Sequence, residues 1–283
     1  MAYVPATGPE TTKQLLDRSL HLYKTAFHKI FPIALALAIL AFTPRMLALV
    51  YGAKLHHFSL SINQLAQLLL DLLSMIFFTA MLWDMRCVMT NDQENLIKDF
   101  KKSLKKIPLI IGASVVETAI LLISTLTLFT MYFIFIRLFT HHFVIPADRF
   151  KVFLLTLPMI FQVLFNVFIF ILLLFYLPII VAENKGIFIA LLRSAKLVWG
   201  NVWRVLKLQL TPWFIYSLWL IFFKNVFGLK IHIYFFALNN LSWSAVIVHL
   251  LIFALFVPWS AATLLVQLHD LELRKKLKPF DQK

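Results

Sequence analysis

The sequence predicts an all-α integral membrane protein with six transmembrane helices. Hydrophobic residues make up 61% of the 283 residues and charged residues only 14%, and the mean hydropathy is +0.85. A soluble protein has about 25% charged and about 45–50% apolar residues, so a soluble chain of this composition would not cover its surface with polar groups. Six long apolar runs complete the pattern. We therefore expect residues 1–283 to form a single polytopic membrane domain.

Each apolar run is long enough to cross the hydrocarbon core, which takes about 20 helical residues. Several runs exceed this length, so tilting or extension past the interface is expected. The residues before the first run lack the pattern of a cleaved signal peptide, and the first span is expected to be the targeting signal. The predicted spans are Ile30–Val50, Leu60–Val88, Pro108–Ile136, Val152–Val181, Val205–Phe227 and Ser242–Leu268.

The distribution of basic residues predicts the orientation. Of the 27 Lys and Arg residues, 20 lie in the N-terminal segment, the second and fourth connections and the C-terminal segment, and seven lie on the other side. By the positive-inside rule, both termini are cytoplasmic. The net charge of +14 is thereby assigned to contact with anionic lipid head groups rather than nucleic acid. The single cysteine, Cys87, excludes an intramolecular disulfide framework and a multi-cysteine metal site.

Basic amphipathic stretches precede the first, third and fifth spans: Leu15–Phe31, Asn95–Ile110 and Gly186–Leu206. Their apolar and basic side chains fall largely on opposite helix faces, as in helices that lie in the cytoplasmic interface. The chain is therefore predicted to repeat surface helix, span and span three times; alternatively, the orientation rule alone makes these connections basic. The predicted apolar faces are Leu16, Leu20, Tyr23 and Phe27; Leu96, Phe100 and Leu104; and Ile189, Leu192, Leu197 and Trp199. The predicted head-group contacts are Lys101, Lys102, Lys105, Lys106, Arg193, Lys196 and Arg204.

The run Leu177–Leu206, LPIIVAENKGIFIALLRSAKLVWGNVWRVL, resembles the YciC-like bacterial inner-membrane proteins and the membrane domain attached to some glycerophosphodiester phosphodiesterases. Their pattern is an apolar stretch ending in Glu, then Ala-Leu-x-x-Ser…Leu-Val-x-Gly-Asn. The segments LLDRSLHLYKTAFHKIFPIAL and LHDLELRKK are similar to the group's opening and closing segments. The resemblance implies six spans and an inner-membrane location; it implies no enzymatic activity, because no phosphodiesterase domain accompanies it. The matching residues are Glu183, Ala190, Leu191, Ser194, Leu197, Val198, Gly200 and Asn201.

Ionisable residues inside spans are functional candidates, because a central charge costs roughly 2.5–3.5 kcal/mol on insertion scales. Gln64, Gln67 and Asp71 form a polar stripe on the second span, and Glu117 lies at a comparable depth on the third. Arg45 is the nearest cation by sequence. These five residues form a candidate intramembrane polar site. It is either a protonatable pair in a coupling pathway or a set of interhelical contacts in which one acid is neutral and the other is paired to Arg45.

Other polar residues give weaker signals. His249 adds a polar side chain to the sixth span, and Asp84 lies near a cytoplasmic span end beside Arg86 and is expected to be solvated. Histidine pairs on the outer side offer imidazole ligands for a metal, but adjacent residues point in different directions, so interfacial contacts are expected and no metal or other cofactor is predicted. The sequence contains no phosphate-binding loop, HExxH or GxSxG motif. The outer histidines are His56, His57, His141, His142 and His232.

These observations favour a non-enzymatic multi-pass inner-membrane protein that acts through contacts with anionic lipids or with proteins of the envelope. Binding of a partner protein and formation of a homo-oligomer are both compatible with the sequence, which identifies neither. The alternative is a small transporter or channel that uses Asp71 and Glu117. Glycine usage argues against it, because only Gly112 lies well inside a span and transporters often build sites from Gly/Pro-interrupted helices. A third hypothesis is a membrane-embedded lipid-modifying enzyme.

Overall fold

The computed structural model describes residues 3–51, 60–92, 96–142, 148–183, 185–229 and 242–277. These ranges are helical apart from short connections, and they contain no β-strand. The predicted all-α fold class is therefore confirmed. The helices are α1 (Thr12–Tyr51), α2 (Leu60–Thr90), α3 (Leu96–His142), α4 (Asp148–Leu173), α5 (Tyr176–Glu183), α6 (Ile187–Val198), α7 (Val202–Phe227) and α8 (Trp243–Leu277).

Six segments of these helices are long and apolar enough to cross a membrane, as the sequence predicts. Each overlaps one predicted span, although several begin or end at different residues. The membrane-spanning segments are Thr12–Leu47, Ala66–Thr90, Leu104–Ile134, Thr156–Glu183, Val202–Phe227 and Trp243–Leu277.

The chain forms two compact units. Unit 1 contains residues 1–107, 181–183 and 203–283, and unit 2 contains residues 108–180 and 184–202. The threefold repeat of surface helix, span and span stays a prediction, because the division into units does not test it.

In unit 1, helix α8 packs against α1, and α1 also packs against α2. Ala38 and Phe42 of α1 form a buried cluster with Val246, Leu250 and Ala254 of α8. Alanine at two of these contact positions lets the helix backbones approach closely, which favours packing between helices in lipid. A second cluster joins α7 to α8 through the buried side chains of Tyr216, Leu220, Ala245 and Ile252.

The first two basic stretches are not separate helices. They are the N-terminal parts of α1 and α3, which continue through Pro32 and Pro108 into the spans. Membrane helices tolerate proline because neighbouring groups can satisfy the freed carbonyls. The buried face of the first stretch also differs from the predicted apolar face, whose residues are only half-buried. The side chains that pack inward are Leu15, Ser19, Leu22, Ala26 and Ile30.

The fourth predicted span is interrupted in the structure. Helix α4 ends at Leu173 and α5 begins at Tyr176, so a short turn divides the apolar run. Pro178 lies in the first turn of α5. Backbone N–H groups of a first turn have no carbonyl partner within the helix, so the N–H that proline lacks is not needed there. The third basic stretch, in contrast, contains a separate 12-residue helix, α6.

Candidate functional site

Helix α6 is fixed to the turn between α4 and α5 by one buried hydroxyl. Ser194 Oγ accepts a hydrogen bond from the backbone N–H of Phe175 at 3.0 Å and donates one to the carbonyl of Leu172 at 2.7 Å. The turn between the helices exposes backbone groups that no longer bond within a helix. A single serine thereby satisfies one backbone donor and one acceptor in unit 2.

The residues that carry the family resemblance build this arrangement. Four apolar motif residues of α6 are buried with Ser194, and the motif's Gly-Asn pair closes the helix. Gly200 has a φ of +84°, a conformation that glycine adopts without the steric cost that a Cβ brings. The Asn201 N–H then bonds to the carbonyl of Val198 at 2.8 Å. The four buried apolar residues are Ala190, Leu191, Leu197 and Val198.

The opposite side of α6 is also apolar. Phe188, Ile189, Leu192 and Trp199 are between 59% and 68% exposed. Helical spacing places these side chains within about a third of a turn of one another, together with the exposed Lys196. Of the predicted apolar face, Ile189, Leu192 and Trp199 are exposed, whereas Leu197 packs inward. Arg193, another predicted head-group contact, lies beside this face and is half-exposed.

The structure describes Asp71 and Glu117 in separate units. Asp71 is exposed on α2 of unit 1 and accepts a hydrogen bond from Gln67 Nε2 at 3.0 Å. Glu117 is half-buried on α3 of unit 2, where its carboxyl interacts with the Tyr176 hydroxyl. The predicted site shared by the two acids stays a prediction. The Gln64 side chain lies outside the described part of the chain.

The contacts described for Arg45 are not with an acid but with a histidine and an aromatic ring. Arg45 Nη1 lies 3.2 Å from His249 Nδ1, and its guanidinium carbon lies 5.1 Å from the centre of the Phe42 ring. The Tyr216 hydroxyl is hydrogen-bonded to the other ring nitrogen of His249. Arg45, His249 and Tyr216 are buried and join α1, α8 and α7. The sequence marks His249 as a polar residue of a span, but no pattern in it singles out Tyr216.

Two further acids of unit 1 are buried, and both form ion pairs. Asp84 is fully buried, and its Oδ1 lies 3.0 Å from Lys29 Nζ of α1. The expectation that Asp84 is solvated was wrong, because packing of α1 on α2 supplies a cation and excludes water. Asp270 of α8 is 1% exposed and is paired with Arg204 at 3.1 Å and Arg274 at 2.9 Å.

The Asp270 carboxylate also holds the N-terminal segment. Its Oδ1 accepts the backbone N–H of Glu10 at 2.9 Å, while the Glu10 carbonyl accepts hydrogen bonds from Arg204 and Arg274. Arg204, a predicted head-group contact, thus binds a buried carboxylate and a backbone carbonyl, and its head-group role stays a prediction. Further along the same segment, Tyr3 is buried, and this burial raises the pKa of its hydroxyl.

A group of basic residues surrounds the Trp83 ring of α2. The Lys106 ammonium lies 4.5 Å from the ring centre, the Arg86 guanidinium carbon 5.1 Å and the Lys102 ammonium 5.4 Å. Lys106, one of the predicted head-group contacts, is half-buried, and its ammonium also donates a hydrogen bond to the carbonyl of Val181. Lys101 and Lys105, by contrast, are exposed.

An apolar groove of about 620 Å³ runs between α1, α7 and α8 of unit 1. This volume is within the range of about 300–1,000 Å³ that is typical of small-molecule sites. The side chains that line the groove are apolar or aromatic, and they include Tyr23, Trp219, Phe223, Leu255 and Trp259. Such a lining suits hydrocarbon rather than a polar solute.

The predicted outer histidines fall largely outside the described residues. His56, His57 and His232 lie in segments that the structure does not describe, and His141 and His142 are helical residues whose side chains are not described. Among the residues that are described, no three His, Cys, Asp or Glu side chains group as metal ligands.

No family model, curated protein or solved structure matches this chain. The resemblance to the YciC-like group therefore stays a prediction carried by the residues that dock α6.

Proposed function

We propose that this chain is a multi-pass protein of the bacterial inner membrane, a member of the YciC-like group, and that it acts without enzymatic chemistry through contacts with lipids or envelope proteins. Six membrane-spanning segments support the multi-pass arrangement. The excess of basic residues, 20 of 27, on the side of the two termini supports a cytoplasmic location for both.

The observation that carries this proposal is the two-sided apolar character of α6. Ser194 and its buried neighbours pack one side of α6 against unit 2, which fixes the rotation of the helix about its axis. The phenylalanine, isoleucine, leucine and tryptophan on the other side therefore stay exposed. A contiguous apolar face of this kind in water is unfavourable, and such faces generally mark membrane or protein contacts. Lys196 on the same face suits the interface, since a long basic side chain can reach lipid phosphates while its stem stays among acyl chains.

The groove also supports a role in lipid contact, and the polar contacts inside unit 1 fit a structural role. The groove between α1, α7 and α8 is lined by apolar side chains in helices that cross the membrane. Polar side chains inside unit 1 also bond one helix to another. Gln209 Nε2 donates to Gln267 Oε1 at 3.0 Å, and Trp259 Nε1 donates to Ser19 Oγ at 3.0 Å. These bonds are the interhelical contacts of a stable bundle.

The exposed face of α6 can be tested with a site-directed spin label. We would replace Cys87 by Ser, introduce Leu192→Cys on the exposed face, and label the protein in lipid nanodiscs. The matched control is Leu191→Cys, one residue away on the buried face. We expect the label at 192 to be relaxed by oxygen, which concentrates in lipid, and only weakly by a water-soluble nickel complex. Relaxation of this label mainly by the nickel complex would contradict the proposal.

The transporter alternative is favoured by one observation, the exposure of the Asp71 carboxylate on a membrane-spanning helix. Because a charge facing lipid is costly, this carboxylate suits contact with water or with another polar group. The test is ion and solute flux in proteoliposomes that carry Asp71→Asn with Glu117→Gln. Flux that is present in the parent protein and lost in the double variant would favour transport; absence of flux from both proteins would favour the contact role.

A further inference from the structure

Three cations converge on one aromatic ring at the end of α2. The ring of Trp83 has Arg86, Lys102 and Lys106 within 4.5–5.4 Å of its centre, a distance at which a cation is attracted electrostatically to the face of the ring. Arg86 lies one turn beyond Trp83 on α2, and the two lysines lie one turn apart on α3. The spacing of the two helices thus brings the three charges together.

The backbone fixes this cluster in place. The carbonyl of Val181, near the end of α5, accepts a hydrogen bond from Lys106 Nζ at 2.6 Å and a longer one from Arg86 Nη1 at 3.5 Å. Two of the three cations therefore share one acceptor. The Lys106 and Arg86 side chains are therefore held by a backbone group as well as by the Trp83 ring.

Like charges lie close together in this cluster. Arg86 and Lys102 both repel the Lys106 ammonium. An anion that entered between the cations would be attracted by all three at once.

The surroundings of the cluster point to a membrane anion. The Lys102 side chain is exposed, and Trp83 and Arg86 are half-buried, so the cluster is accessible. Trp83 and Arg86 lie near the end of the membrane-spanning segment Ala66–Thr90, and Lys106 lies in the first turn of the segment Leu104–Ile134. A cationic group at the ends of two spans lies at the depth of phospholipid head groups, which carry a phosphate next to the acyl chains.

We infer that Arg86, Lys102 and Lys106, arranged around the Trp83 ring, bind the phosphodiester head group of an anionic phospholipid. This inference rests on the proposed lipid-contact function and names a site for it. The cations bind the phosphate oxygens, and the Trp83 ring holds the cations in position and lies at the depth of the head groups.

The test compares two charge-matched variants. The site variant is Lys102→Gln with Lys106→Gln, in which glutamine keeps a donor for the Val181 carbonyl. The control is Lys275→Gln with Lys276→Gln, which removes two exposed lysines at the end of α8. Delipidated protein in neutral detergent would be titrated with phosphatidylglycerol, and binding would be followed by native mass spectrometry. At about fivefold per lysine near a lipid surface, we expect about 30-fold weaker binding by the site variant and little change in the control.

Three further arms interpret the result. Lys102→Arg with Lys106→Arg keeps both charges and should retain binding, which separates loss of charge from loss of fold. Equal weakening of both glutamine variants, or equal affinity of the parent for phosphatidylcholine, would overturn the site. Binding of soluble glycerol phosphate as tightly as phosphatidylglycerol would also overturn it. The proposed function is tested separately by the spin label at position 192. An aqueous environment of that label would contradict the proposed function without bearing on this site.

Discussion

Replacement of Asp270 by asparagine is the sharpest test of how unit 1 is held together. The carboxylate is 1% exposed. Its three partners are the Arg204 guanidinium on α7, the Arg274 guanidinium on α8 itself and the Glu10 N–H of the N-terminal segment. Asparagine has nearly the same shape but no charge. The variant therefore leaves two guanidinium groups beside an uncharged amide.

The size of the effect follows from the burial of the partners. Removal of one member of a buried ion pair costs about 3–5 kcal/mol. The Arg204 and Arg274 side chains are 20% and 29% exposed, so they regain some hydration, and we expect the lower end of this range. A loss of about 3 kcal/mol shifts the unfolding equilibrium by about 150-fold.

The assay is unfolding of the purified protein by titration of sodium dodecyl sulfate into mild detergent, followed by circular dichroism. Limited trypsin digestion at Lys13 and Arg18 would report release of the N-terminal segment. Asp17→Asn, the same change at an exposed position of α1, is the control. If Asp270→Asn unfolded at the parent's detergent fraction and kept both tryptic sites protected, the Asp270 ion pairs would not anchor this segment.

Three further substitutions test other features. Gly200→Ala should destabilise the protein by about 1 kcal/mol in the same unfolding assay, because of the positive φ, whereas Gly186→Ala, where an added Cβ would meet nothing within 4 Å and φ is an ordinary −67°, should be neutral. Ser194→Ala should cost about 1–3 kcal/mol, since it leaves buried backbone groups without their partner, and hydrogen exchange at the Phe175 amide should accelerate. Asp71→Asn should leave stability within about 0.5 kcal/mol of the parent, because the residue is exposed and an amide oxygen accepts the same hydrogen bond; a larger loss would indicate a buried partner.

The lengths of apolar runs were sufficient to predict the fold class and the six spans. Run length predicts the ends of helices less accurately than it predicts spans, because a helix continues past an apolar run for as long as its backbone hydrogen bonds do. The basic stretch before Pro32 therefore belongs to α1. The turn at 174–175 was also not predicted, because its partner, the Ser194 hydroxyl, comes from a later helix.

Polar partners were harder to predict than spans. Arg45 was expected to lie near an acid because of its position in the sequence, yet its described partner, His249, is 204 residues away. Asp84 and Asp270 were not identified as buried, since a charge near the end of an apolar run is ordinarily solvated. Which polar groups meet is decided by which helices pack together, and one sequence does not contain that information in its periodicity.

The bond between Glu10 and Asp270 joins residues 260 positions apart, and this separation sets an order of events during biosynthesis. Translation at about 5–20 residues per second needs between about 10 and 50 seconds to proceed from one to the other. Throughout that interval α1 is already made, but its principal neighbour α8 does not exist. Docking of residues 3–11 is therefore a late step of assembly, because it requires Arg204 of α7 and Asp270 of α8 to be in their final positions. A ribosome-bound chain arrested before α8 should leave this segment open to proteases and chaperones.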